Sequence, residues 1–227
     1  KRGLVNLHIR IDERTAAFFA LGITKANSRP AALVCTSGTA VANYYPAFLE
    51  AFHSDLPLYV LSADRPARLR QTGANQTTNQ VHLFNCGRYF DSGNYEFHAN
   101  GPTHINLEFD EPLLSDDRSN WLEDLASDEL LSEKLVQEEL AIPSGKGIVI
   151  AGHDSVDVTE LVAQLQVPLI AENPLSYPNA LAHASLFSGQ LEIDWVIVAG
   201  RTTLSRSINS LIAKAKEVFV IDSKAAR

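Results

Sequence analysis

The chain has 227 residues, 45% of them hydrophobic, and a net charge of −8. That length suits one large or two small domains, and that apolar share can bury a core. The acidic balance excludes a phosphate-backbone binder: the longest basic cluster, Arg65, Arg68 and Arg70, is too short for a nucleic-acid track and is suited to a small anion.

In chain order, "LVNLHIRI" (4–11) alternates as a strand does, and "ERTAAFFALGITKA" (13–26) has helical composition behind Asp12, a good N-cap residue. "PAALVCT" (30–36) is a short apolar strand. "SGT" follows, then "AVANYYPAFLEAFH" (40–53), which reads as helix despite Pro46. "PLYVLSA" (57–63) is a third strand, a polar stretch runs through "GANQTTNQ" (73–80), and "THINLEF" (103–109) is another strand. Continuous apolar strands joined by helices predict a mainly parallel sheet covered on both faces. Residues 114–141 turn acidic and polar and read as a linker with a helix. A second α/β unit begins at "GIVIAG" (147–152) and continues through the helix "DSVDVTELVAQLQ", the strands "PLIAEN" and "WVIVAG", the helix "SINSLIAKAK" and the strand "VFVIDS" (218–223). The expected division is 1–113, 114–141 and 142–227.

Several chemistries find no support. The seven histidines form neither HExxH nor a Cys/His pair at ligand spacing. The turn "AGHDS" does not satisfy GxGxxG. In "CTSGTA" the position two before Ser37 is Cys35, where a nucleophile elbow needs glycine. Two cysteines, Cys35 and Cys86, give no disulfide framework and suit a reducing compartment; Cys35 reads as a buried thiol. No apolar run reaches the ~20 residues that span a bilayer, and no secretory signal precedes the first strand. A cytoplasmic protein without membrane insertion is expected. The chain opens without Met almost inside a strand, so the natural protein is expected to start upstream.

The polar residues that remain gather at strand ends. Asp12 and Glu13 stand where the first strand gives way to a helix. There they either face the helix dipole favourably or place a carboxylate where open α/β sheets bind ligands. Ser37 and Thr39 either cap a helix or line a polar site. Arg65, after the third strand, could grip a carboxylate, with Asn75 and Gln76 supplying amides nearby.

"DERTAAFFALGITKA", "VCTSGTAVANYYPAFLEA", "LSADRP", "TGANQTTNQ" and "GPTHINLEFDEPL" together resemble the thiamine diphosphate-dependent 2-succinyl-5-enolpyruvyl-6-hydroxy-3-cyclohexene-1-carboxylate (SEPHCHC) synthases of menaquinone biosynthesis. The resemblance is close over 4–113 and looser over 147–223. It implies a pyrimidine-binding domain at 1–113 and an incomplete central Rossmann-like domain at 142–227. It implies that Glu13 is the glutamate bonded to the cofactor's pyrimidine N1′, that Thr39 and Asn43 line the pyrimidine pocket, and that Arg65, Asn75 and Gln76 meet the substrates 2-oxoglutarate and isochorismate. A homodimer or tetramer is also implied. So is Mg²⁺ or Mn²⁺, whose ligands are expected in a diphosphate-binding domain that this chain lacks, since no GDG-type motif occurs. The chain is therefore expected to be an inactive N-terminal portion. The alternatives are another thiamine diphosphate carboligase or decarboxylase, such as an acetolactate synthase relative, and a non-catalytic scaffold of the same fold.

Overall fold

A computed structural model of the chain describes residues 5–27, 29–91, 93, 95–114, 116–117, 119, 130–131, 139–202 and 205–222. Contacts divide the chain into two units, Lys1–Ser132 and Glu133–Arg227. Most of the expected linker helix in 114–141 lies outside the described residues.

In the first unit, α1 (Glu13–Asn27) leads to β1 (Ala31–Cys35), then α2 (Thr39–Ala42), α3 (Tyr45–Ser54), β2 (Leu58–Asp64), β3 (Arg88–Asp91) and β4 (Thr103–Glu108). The four strands form one all-parallel sheet in the order β1-β2-β4-β3. Leu33, Leu58 and Val60 pack with Ala17 and Leu21 of α1 and with Tyr44, Ala47 and Phe48 at and within α3. Phe84, from the segment between β2 and β3, stacks on Phe48 at 4.2 Å and closes this core.

Three local outcomes depart from the sequence pattern. Residues 5–11 alternate but form no strand; Val5, Leu7, Ile9 and Ile11 are all exposed. Alternation makes a strand only where a neighbouring strand completes the ladder, and β1 is an edge of the described sheet. The predicted helix 40–53 is two helices. Pro46 lacks an N–H and its ring crowds the carbonyl four residues back, so α3 restarts with Pro46 in its first turn. β3, "RYFD", is too short for its alternation to show and is defined by pairing with β4.

In the second unit, β5 (Gly147–Ala151), α4 (Thr159–Leu165), β6 (Leu169–Ala171), α5 (Ala184–Phe187), β7 (Trp195–Ala199), α6 (Arg206–Lys214) and β8 (Glu217–Ile221) build a parallel sheet in the order β6-β5-β7-β8. Its two central strands, β5 and β7, are apolar and buried at every position because both faces are covered. Ile148, Ile150, Val196 and Val198 pack on one side, and Val149, Ala151, Ile197 and Ala199 on the other. Gly147 is obligatory here: a Cβ would stand 2.0 Å from the Trp195 ring. The loops after β5 and β7 are joined by paired hydrogen bonds between the backbones of His153 and Arg201. Helix α4 starts later than the expected 154–166. Asp157, just before the helix, accepts from Thr159 N at 2.9 Å and from its hydroxyl at 2.6 Å, a local turn that leads into α4.

Candidate functional site

The carboxyl edge of the first sheet collects the polar residues. Asp12 caps α1, accepting at Oδ1 from both the amide and the hydroxyl of Thr15 at 2.7 Å. These two bonds, from the hydroxyl first, hold its carboxyl below the usual range. With Asp12 committed to the cap, Glu13 is turned elsewhere. It is half-buried, and its Oε2 accepts from Asn43 Nδ2 at 3.2 Å. Asn43 is the residue that ends α2, so the start of α1 and the short helix after "TSGTA" meet at these two side chains. Thr39, the first residue of α2, is exposed beside them in sequence.

The turn between β1 and α2 is held from the "GANQTTNQ" stretch. Ser37 Oγ donates to the carbonyl of Gln76 at 2.8 Å. Gln76 Nε2 donates back to Thr36 Oγ1 at 3.1 Å and to the Ser37 carbonyl at 3.2 Å. Gly38 sits at φ +86, in the left-handed region, and a Cβ there would meet Gln76 Cγ at 3.1 Å. Its N–H donates to Gln80 Oε1 at 2.8 Å. Beneath the turn, Cys35 is partly buried and its thiol is pushed up to about 11 by burial, so it remains protonated and inert.

After β2 the three arginines separate. Arg68 binds both oxygens of Asp110 at 2.6 and 2.5 Å. Arg70 pairs with Asp64 at 3.1 Å and with Glu108. Arg65 has no ion-pair partner among the described residues, and it lines a cavity of about 460 Å³ together with Asn75, Arg68, Phe109 and Asp110. Two arginines are thus spent on the loop's own structure, and one remains available to an anion. Of the six residues singled out in the sequence, Glu13 is in contact with Asn43, and Arg65 shares a cavity with Asn75. Gln76 is bonded to the turn and does not line that cavity.

Sequence reasoning missed a buried polar cluster between these regions. Ser62, Asp64, Gln80, His104 and Asn106 are all nearly or fully buried. Ser62 Oγ lies 2.8 Å from His104 Nε2 and donates to Asn106 Oδ1 at 2.9 Å. Burial, and then the neighbouring His82, push the His104 imidazole down to about 4, so it is neutral. The signal was present in "LYVLSAD" and "THINLE". Two buried strands turn polar at alternate positions, and the register pairs Ser62 with Asn106.

The donor set at the Glu13 end fits an aminopyrimidine, with a carboxylate and an amide held together and an exposed hydroxyl in the same short helix. Comparison with known proteins agrees. Residues 2–83 match the model of the thiamine pyrophosphate enzyme, N-terminal TPP binding domain. The chain is 44% identical to the SEPHCHC synthase of Nocardioides sp. (strain ATCC BAA-499 / JS614), over 97% of this chain and 42% of that protein. It is 37% identical to the same-named enzyme of Paenarthrobacter aurescens (strain TC1), over 96% and 45%. With that of Thermobifida fusca (strain YX) the identity is 34%, over 98% and 48%.

The chain is similar to the SEPHCHC synthases over nearly its whole length. It spans about half the length of these curated relatives. Among the described residues no helix is long and apolar enough to cross a membrane, and no group of three or more His, Cys, Asp or Glu is placed to hold a metal ion.

Proposed function

We propose that the protein carrying this chain is a SEPHCHC synthase. It would decarboxylate 2-oxoglutarate with thiamine diphosphate and add the resulting succinyl semialdehyde unit to isochorismate, in menaquinone biosynthesis. The observation that carries this reading is the Glu13–Asn43 contact at 3.2 Å, in a domain related to those that bind the cofactor.

Glu13 would meet N1′ of the cofactor's pyrimidine and exchange a proton there. Asn43 steadies the carboxylate, and Thr39 and Asn43 line the ring's pocket. When bound, thiamine diphosphate supplies the electron sink that decarboxylation of a 2-oxo acid requires. Arg65 would take a substrate carboxylate through its two-pronged donor face, and Asn75 would add an amide to the same cavity. Gln76 is assigned to the substrate too, through the part of its side chain not bonded to the turn. Both substrates are anionic, so Arg65 has a task despite the chain's net charge. Mg²⁺ or Mn²⁺, a homodimer or tetramer, a cytoplasmic setting and the 1–113, 114–141, 142–227 division belong to the same proposal.

In the protein at its natural full length, Glu13→Gln is expected to lower kcat by roughly 10²–10⁴-fold, the range for a lost proton-transfer group, with the fold unchanged by circular dichroism. Unchanged kcat would remove Glu13 from this role. Assay of isochorismate plus 2-oxoglutarate against pyruvate separates this synthase from an acetolactate synthase relative. Absence of any thiamine diphosphate binding would leave the scaffold.

A further inference from the structure

Gln80 is fully buried, yet its amide binds three separate segments. Its Oε1 accepts from Gly38 N at 2.8 Å, in the turn that leads to Thr39 and Asn43. Its Nε2 donates to Asn106 Oδ1 at 2.8 Å, on β4, and to the Ala63 carbonyl at 3.0 Å, on β2. Asn106 Nδ2 then donates to Asp64 Oδ2 at 2.8 Å. Asp64 in turn accepts at Oδ1 from the backbone N–H of Arg65 at 2.7 Å and pairs with Arg70.

These bonds all run one way. The Gly38 amide donates to Gln80, Gln80 donates to Asn106, and Asn106 donates to a carboxylate. A carboxylate can only accept, so the charge at Asp64 sets the orientation of both amides. With Asn106 so oriented, its Oδ1 faces Gln80 and Ser62. Gln80 must therefore present its nitrogen to Asn106 and its oxygen to Gly38. The path begins at the turn that would hold the cofactor's pyrimidine and ends at the arginine that would hold substrate. It lies within the sheet's core face, out of water, where each bond is stronger and each loss is costly. His104, Asp64 and Arg70 are titratable groups along it, with Glu108 paired to Arg70 and Tyr89 facing Asn106.

We infer that Gln80 is a positioning residue that ties the turn at 36–39 to the arginine loop at 64–70, so that cofactor binding and substrate-carboxylate recognition are set in one register. This rests on the functional reading above. Gln80 touches neither ligand and acts through the Gly38 amide on one side and through Asn106 and Asp64 on the other.

Two variants in the natural full-length protein test it. Gln80→Leu removes both ends of the bridge. The Gly38 amide is expected to exchange with deuterium at least about tenfold faster. The thiamine diphosphate dissociation constant and the KM for 2-oxoglutarate should each rise about tenfold, the size of one lost buried hydrogen bond. Gln80→Glu keeps an acceptor for Gly38 but, when ionised, presents a second acceptor to Asn106 and Ala63. Cofactor affinity should then stay within about threefold of wild type while KM rises about tenfold at alkaline pH. Burial raises the introduced carboxyl's pKa. Once protonated, its O–H can donate to Asn106, so KM is expected to return toward wild type as pH falls, a response that wild-type protein lacks. If Gln80→Leu fails to fold, the split between affinity and KM in Gln80→Glu decides alone. Wild-type exchange at Gly38 and a wild-type pH profile of KM in Gln80→Glu would overturn the inference. If wild-type protein binds no thiamine diphosphate, the functional reading itself fails, whereas cofactor-binding wild type with indifferent Gln80 variants sinks only the coupling.

Discussion

Single residues here divide between structure and chemistry by what already holds them. Asp12 is occupied by Thr15, and Arg68 and Arg70 by acids. Glu13 and Arg65 keep groups available to ligands. Arg65→Ala is therefore expected to raise KM for 2-oxoglutarate roughly ten- to hundredfold, the range of a lost charge-assisted bond, with thiamine diphosphate affinity unchanged by titration. A cofactor-only defect would show that the loop is misassigned. His104 gives a pH dependence with a definite sign. Its pKa is about 4 folded against about 6.5 unfolded, so below 6.5 the unfolded chain takes up a proton that the folded one refuses. Stability should fall as pH drops from about 6.5 to about 4, by about 3 kcal/mol from this group, and level off below. Urea unfolding of wild type against His104→Leu across that window checks it: the variant should lack this part of the loss.

At the scale of elements, local chemistry was legible wherever it did not depend on a distant neighbour. The Asp12 cap, the α1 span and β1, β2, β4, β5, β7 and β8 stand close to where their sequence patterns put them. Pro46 divides the helix predicted at 40–53, and that break places Asn43 at the end of α2, against Glu13. Residues 5–11 show the opposite case, an alternating pattern with no partner strand. Packing imposes its own demand at Gly147. Gly147→Ala would drive a Cβ into the Trp195 ring and is expected to destabilise the second unit by about 3 kcal/mol or more. A lowered urea midpoint, followed by tryptophan fluorescence, would show it, and an unshifted midpoint would refute the clash.

At the scale of the molecule, each unit has its own parallel sheet and its own core. The chain spans about half the length of its relatives and shows no metal-ligand group among the described residues. On the proposed function, thiamine diphosphate titrated into this chain alone is expected to bind with an affinity indifferent to Mg²⁺, and the natural full-length protein to bind it more tightly with the ion. Mg²⁺-dependent binding by this chain alone would place metal ligands within it. The sequence by itself determined the α/β class, the polar segments that carry Glu13, Arg65 and Asn75, and the resemblance to thiamine diphosphate enzymes, because these rest on local periodicity and contiguous motifs. Only the tertiary structure decided that Arg65, alone of three arginines, has no ion-pair partner among the described residues, and that Gln80 joins two loops through Asn106 and Asp64. Those outcomes depend on which strand lies beside which. β4 must enter the sheet next to β2 before Asn106 can face Asp64, and no local pattern in the chain records that pairing.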